Sequence, residues 1–212
     1  MPLFLHEDLE FKGELGLWNI QESEDWFLSK VGLNEAEQAQ FDQIKGRKRI
    51  EWLSVRYLVH LMSGREKRGS FLKDEHGKPH LEASPFQISI SHSHDFAAAI
   101  AAPKSVGIDI QFLVARIGRL AHKYMRAEEM ESLREDTKIE HLHVYWGAKE
   151  ALYKAYGRRQ LDFCTHILID PFPYNSEGGT FTGQVVKEGF GARYKLWYRL
   201  IGDYMLVYAV ED

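Results

Sequence analysis

Apolar and polar positions along the chain change period several times, and the changes mark out its elements. Ile50, Leu53, Tyr57, Leu58 and Leu61 recur at helical spacing, which predicts a helix over 47–62. Ahead of it, Asn34 and Glu37 stand three apart like a helix-capping pair, and Gly46 ends or interrupts the helix they start. Residues 15–20 read as a strand, while the rest of the first 30 mixes aromatics and charges without a clear period. Residues 74–79 form a turn, and 86–91 alternate as a strand does. Two further runs, 97–102 and 106–110, are apolar enough to be central strands. Helical patterns follow over 115–135 and 139–156, the second closed by Gly157. The tail returns to strands at 166–169, 181–186, 194–200 and 204–210, with Gly202 and Asp203 in the last turn. The fold class is therefore α+β, in two similar-sized halves joined near 103–112.

Composition narrows the class of protein. Of 212 residues, 44% are hydrophobic and 27% charged, the balance of a soluble globular chain. Cys164 is the sole cysteine, so no intrachain disulfide framework exists, and a reducing cytosol is expected. The start of the chain lacks the basic stretch and long apolar run of a signal peptide. No segment approaches the roughly 20 apolar residues of a membrane span. A formal charge of −4 argues against general nucleic-acid binding while leaving room for a local anion site.

The candidate chemistry lies in four places. In Val106-Gly-Ile-Asp-Ile-Gln111, alternation sends Gly107, Asp109 and Gln111 to one strand face, where a carboxylate and an amide can point at one ion. Gly107 is expected to leave room for a ligand there; the plainer reading is a polar strand end capping a turn. Glu150 and Lys154 stand four apart on one helix face with Trp146, either as a site or as a surface ion pair. Lys45, Arg47, Lys48 and Arg49 concentrate positive charge, and Arg49 with Arg56, two turns on, can fork a phosphate unless the run is a solvated helix start. Ser89-Ile-Ser-His-Ser-His-Asp95 offers hydroxyls and imidazoles to phosphate oxygens. His92 and His94 share a strand face, and His141 and His143 repeat the spacing. On a helix such a pair does not converge, and no cysteine pair accompanies either, so zinc is disfavoured. Arg116, Arg119, Lys123 and Arg126 form one basic helical stripe edged by Ile117, Leu120 and Tyr124, suited to an acidic partner helix unless it is a solvated face.

Gly77-Lys-Pro79, Ile88-Ser-Ile-Ser-His-Ser93, Val106-Gly-Ile-Asp-Ile110 and Trp146-Gly-Ala-Lys-Glu-Ala-Leu-Tyr-Lys154 occur in an order that resembles the 4′-phosphopantetheinyl transferase superfamily in its long, surfactin-synthetase-activating form. The resemblance spans about 47–170 and implies two pseudo-symmetric halves, each a small antiparallel sheet packed with a long helix. Residues 1–105 would contact the nucleotide of coenzyme A; 106–212 would hold the metal and the carrier protein. It implies that Asp109 and Glu150 ligate magnesium, with manganese a possible substitute. Lys78 and Pro79 would lie near the adenine, and Ser91 and His92 on the nucleotide, His92 at its 3′-phosphate. Arg47, Lys48, Arg49 and Arg56 belong to the basic cofactor-binding helix, and Lys149 and Lys154 match the two helix lysines, Lys154 reaching the pyrophosphate. Many relatives carry Glu where this chain has Gln111, which is expected to touch the ion directly or through water.

The implied activity is that of a holo-[acyl-carrier-protein] synthase. A carrier serine attacks the β-phosphorus of coenzyme A and 3′,5′-ADP leaves, with Glu150 or a metal-bound water taking the proton and Asp109, Glu150 and Lys154 as the catalytic set. Fatty-acid, polyketide and nonribosomal-peptide carriers all qualify as acceptors. A cytoplasmic monomer is implied, with no nucleic acid or membrane partner. The competing reading is a non-catalytic coenzyme A or carrier-protein binding module. Another nucleotide phosphotransferase is disfavoured because the chain has no phosphate-cradling Gly-x-x-x-x-Gly-Lys loop and no kinase signature.

Overall fold

Antiparallel pairing builds every sheet of this α+β protein, whose computed structural model describes residues 3–212. Met1 and Pro2, where the reading of the chain start begins, lie outside the described residues. Two units divide the chain, Met1–Pro103 and Lys104–Asp212. No described helix is long and apolar enough to cross a membrane.

The first unit opens with the hairpin β1 (Leu3–Leu9) and β2 (Gly13–Asn19), then helices α1 (Glu24–Val31), α2 (Glu35–Asp42) and α3 (Lys48–Met62). A small hairpin, β3 (Phe71–Lys73) and β4 (Pro79–Leu81), precedes β5 (Gln87–Ser93) and β6 (Phe96–Ala102). The main sheet runs β1-β2-β6-β5, so the alanine-rich β6 is central, as its apolar run suggested. Helix α3 buries Leu53, Val55, Leu58, Val59 and Met62. Gly16 of β2 gives that helix its seat, since a β-carbon there would stand 2.6 Å from Met62 Sδ. The Asn34 cap forms: its Oδ1 accepts from Glu37 N at 2.8 Å, and the Glu37 carboxylate accepts from Asn34 N in return.

The second unit begins with β7 (Val106–Phe112) and passes through 3-10 turns at Ala115–Arg119 and Ala121–Lys123. It continues with the short α4 (Ala127–Glu131), a third 3-10 turn at Glu135–Thr137 and the long α5 (Lys138–Tyr156). Gly157 caps α5 at φ 71°, a left-handed value that favours glycine. Strands β8 (Ile167–Ile169), β9 (Gly179–Lys187), β10 (Phe190–Ile201) and β11 (Tyr204–Glu211) complete a sheet ordered β7-β11-β10-β9-β8.

Three sequence expectations change here. The helical pattern over 115–135 is broken into short turns. Ile117, Ala121, Tyr124 and Met125 do bury at helical spacing, but Arg126 is extended (φ −84°, ψ 167°). Its N–H and side chain both go to the fully buried Glu129. β7 ends its sheet's strand order instead of being central, and α5 packs across it. Finally, the space beside Gly107 belongs to the fold, not to a ligand: a β-carbon there would lie 1.8 Å from the Ala151 carbonyl oxygen of α5.

That backbone contact gives a test. Gly107→Ala should cost about 3 kcal/mol or more in urea unfolding, because neither partner atom can rotate away. Gly118→Ala, whose β-carbon would meet only Leu142 Cδ1 at 3.9 Å, should stay within about 0.5 kcal/mol of the parent.

Candidate active site

Strand β7 and helix α5 pack against each other with polar groups meeting along the contact. Ser105 Oγ, just before the strand, donates to Ala155 O at 2.9 Å. Gly107 meets Ala151. One step on, Lys154 Nζ donates to Ile108 O and to Asp109 Oδ1, each at 2.8 Å. One more step along, Gln111 Nε2 donates to His143 O at 3.0 Å and lies 3.4 Å from Asp109 Oδ2. Strand alternation thus delivers Gly107, Asp109 and Gln111 to the helix in turn.

Asp109 is 7% exposed, yet carries a charge partner in Lys154. Glu150, one turn before Lys154, is pushed above the ordinary carboxylate range, first by burial and then by the nearby Asp109 charge, with Lys154 opposing. Two carboxylates that repel each other, beside one ammonium, make an acidic cluster whose charge suits a hard cation. The donors are oxygens, as magnesium or manganese prefers, and the Lys154 ammonium already occupies a cation's place at Asp109. Among the described residues no group of three or more His, Cys, Asp or Glu side chains could hold a metal. Trp146 packs at the same end, 5.1 Å from Tyr124 and 5.8 Å from Phe163 between ring centroids.

Lys149 does not join them. It is fully buried on another face of α5, where Nζ donates to Phe163 O and Ile167 O at 2.9 Å and pairs with Glu129 at 2.8 Å. Burial pulls its pKa down against the pull of Glu129. Glu129 in turn accepts from Ile169 N at 3.0 Å. The lysine therefore pins the loop before β8 to α5, with its ammonium fully buried. Sequence reasoning missed Glu129; its trace is the Arg126-x-x-Glu129 spacing of a helix start.

The basic residues of the first unit divide in the same way. Arg47 stays exposed at the start of α3, donates to His94 O at 2.9 Å and pairs with Asp95. Lys48 is exposed beside it. Arg49 is spent on structure: Glu24 takes Nε and Nη2 at 2.8–3.0 Å, and the Phe41 and Ile44 carbonyls take Nη1 at 3.2 Å. Arg56 is 3% exposed, stacked 3.1 Å from the Trp52 ring centroid and 3.6 Å from Glu37, with burial pulling its pKa to about 9. Arg49 is held by Glu24 and Arg56 is buried beside Glu37, so the two guanidinium groups serve different carboxylates in this structure. His92 is exposed on β5 with Nδ1 3.1 Å from Glu51, a carboxylate that also lies 3.9 Å from Arg47. Glu51 was missed as well, though it stands four residues after Arg47 on one helix face. Ser91 is buried on the same strand. Lys78 and Pro79 are half-buried after the β3–β4 turn, where Asp74 Oδ1 accepts from Lys78 N at 2.9 Å.

The histidine pairs do not converge. His94 Nδ1 faces Ser93 Oγ at 3.3 Å. His143 accepts from Val114 N at its Nε2 and faces Ile139 O at its Nδ1, so Nδ1 carries the proton. His141 is enclosed by Tyr145, Phe172 and Tyr174, and neither ring nitrogen has a hydrogen-bond partner. The basic stripe is also altered. Arg116, Arg119 and Lys123 are exposed around the 42%-exposed Leu120, but Arg126 turns inward to Glu129 and Ile169 O.

Residues 105–209 match the family described as the 4′-phosphopantetheinyl transferase superfamily. The matched segment runs from the start of β7 into β11 and contains Asp109, Gln111, Glu150 and Lys154. No curated protein matches the chain.

Two stability measurements check the buried groups. Lys149→Ala should cost about 3 kcal/mol in urea unfolding by leaving the buried Glu129 carboxylate to Arg126 alone, and pairing Lys149→Met with Glu129→Gln should recover much of the loss. For His141, burial lowers the pKa from 6.5 to about 4. Between those values the unfolded chain binds the proton that the folded chain refuses, so stability falls as pH drops through this window. The loss should approach about 3 kcal/mol at pH 4, and His141→Phe should remove it.

Proposed function

Because residues 105–209 form a domain of the 4′-phosphopantetheinyl transferase superfamily, we propose that this protein transfers 4′-phosphopantetheine from coenzyme A to a serine of an acyl or peptidyl carrier protein, in the manner of a holo-[acyl-carrier-protein] synthase. Phosphopantetheine transfer from coenzyme A with a divalent metal is the general chemistry of that superfamily; magnesium, with manganese as a substitute, is our assignment. The observation that carries the reading is the meeting of Asp109, Lys154 and Glu150 at the β7–α5 contact within the matched segment.

Asp109 and Glu150 would hold the ion, which when bound would offset charge on the pyrophosphate. Lys154, four residues after Glu150, sits on Asp109 and would pass its ammonium to a pyrophosphate oxygen. The serine oxygen forms a bond to the β-phosphorus as the bond to the departing 3′,5′-ADP oxygen breaks. The serine proton moves to Glu150 or to solvent. Such chemistry depends mainly on positioning and charge compensation, so no covalent nucleophile in the protein is required. In the first unit, Arg47, Lys48 and His92 are the groups we assign to the 3′-phosphate, with Ser91 nearby on the nucleotide and Lys78 and Pro79 toward the adenine. The exposed Arg116, Arg119 and Lys123 around Leu120 suit an acidic carrier helix. The protein is proposed to act as a cytoplasmic monomer.

Mass spectrometry of an apo carrier incubated with coenzyme A, magnesium and the protein tests this. The expected result is a mass gain of one phosphopantetheine, abolished by Asp109→Ala and by Glu150→Ala. Binding without modification would instead make the protein a carrier or coenzyme A binding module, and full activity in either variant would remove the metal assignment.

A further inference from the structure

Gln111 points at the site from the strand side, yet its amide is turned the wrong way to ligate a cation. Nε2 stands 3.0 Å from His143 O and 3.4 Å from Asp109 Oδ2. A carbonyl and a carboxylate can only accept, so the atom between them must be the donating nitrogen, and the amide oxygen occupies the other prong. The packing around this side chain fits that role. Gly147 of α5 leaves the gap that Gln111 enters, since a β-carbon there would lie 3.0 Å from Nε2 and 2.7 Å from Val207 Cγ2. Asp109 is thus gripped at both oxygens, Oδ1 by Lys154 from the helix and Oδ2 by Gln111 from its own strand.

We infer that Gln111 is a positioning residue that braces Asp109 against α5, and that it does not itself donate an oxygen to the cation. The inference rests on the reading of Asp109 as a metal ligand. It departs from the expectation that Gln111 touches the ion directly. At this position a carboxylate would set oxygen against the His143 carbonyl and against Asp109, with no hydrogen to bridge either. Groups just outside a metal's ligands fix the orientation of those ligands, and losing one costs affinity although no bond to the metal is lost. The neutral amide therefore suits the acceptors it meets at this contact.

The test uses the full chain with Gln111→Glu and Gln111→Leu. Manganese binding is followed by electron paramagnetic resonance without coenzyme A, and melting is followed in EDTA. A brace predicts that Gln111→Leu weakens manganese binding about tenfold. It also predicts that Gln111→Glu binds no tighter than the parent and melts about 4 °C or more below it in EDTA, where no metal contributes. Tighter manganese binding by Gln111→Glu, or an unchanged melting temperature in EDTA, would overturn the brace. Should the parent chain bind no manganese at all, the metal reading of Asp109 falls, and the EDTA melting alone decides whether Gln111 braces it.

Discussion

The Ala151 carbonyl lies where a β-carbon of Gly107 would stand, and that missing atom sets the spacing between β7 and α5. At such a distance short polar side chains on the strand reach the helix directly. Lys154 can lie back over the strand far enough to touch both the Ile108 carbonyl and Asp109. Gly147 makes a second near-contact one turn further along, against Val207 and Gln111. Two glycines on opposite elements therefore fix the geometry in which a strand carboxylate and a helix carboxylate share one electrostatic environment. Burial first, and the Asp109 charge second, hold the Glu150 carboxyl above its ordinary pKa there.

Charge elsewhere in the chain is divided between holding the fold and facing solvent. Glu37 caps α2 while receiving Arg68 and Arg56, so one buried carboxylate joins a helix start to two guanidinium groups. Arg49 fastens α1 and the end of α2 to α3 through Glu24 and two carbonyls. What remains outward near the start of α3 is Arg47 and Lys48, with His92 on β5 linked to the same helix through Glu51. A sequence rich in arginine at a helix start thus says little about which arginine is available, because carboxylates from distant segments claim them first.

Periodicity carried the long elements well. α3, α5, β5, β6 and the last three strands lie within a few residues of their sequence expectations, because each has an extended apolar pattern that the packing uses directly. The hairpin partner β1 was not legible, since its residues alternate between half-buried and exposed and leave little apolar signal. The segment 115–135 misled for the opposite reason: its apolar spacing is helical, but the pull of buried Glu129 on Arg126 breaks the backbone pattern. In the candidate site, alternation and i,i+4 spacing singled out Asp109, Glu150 and Lys154, which the fold brings together. The donor role of Gln111 was not legible, because it depends on a carbonyl 32 positions away that no local pattern exposes.

The sealed contact between Lys149 and Glu129 bears on how this chain can drift. Altering either residue first unbalances a buried cluster that also holds Arg126, so a neutral exchange of the pair must cross a destabilised intermediate. Descendants of this sequence will thus tend to keep the lysine whether or not it ever meets a substrate. A motif lysine retained for mechanical reasons leaves the same mark on a lineage as one retained for chemistry, and only its surroundings tell the two apart.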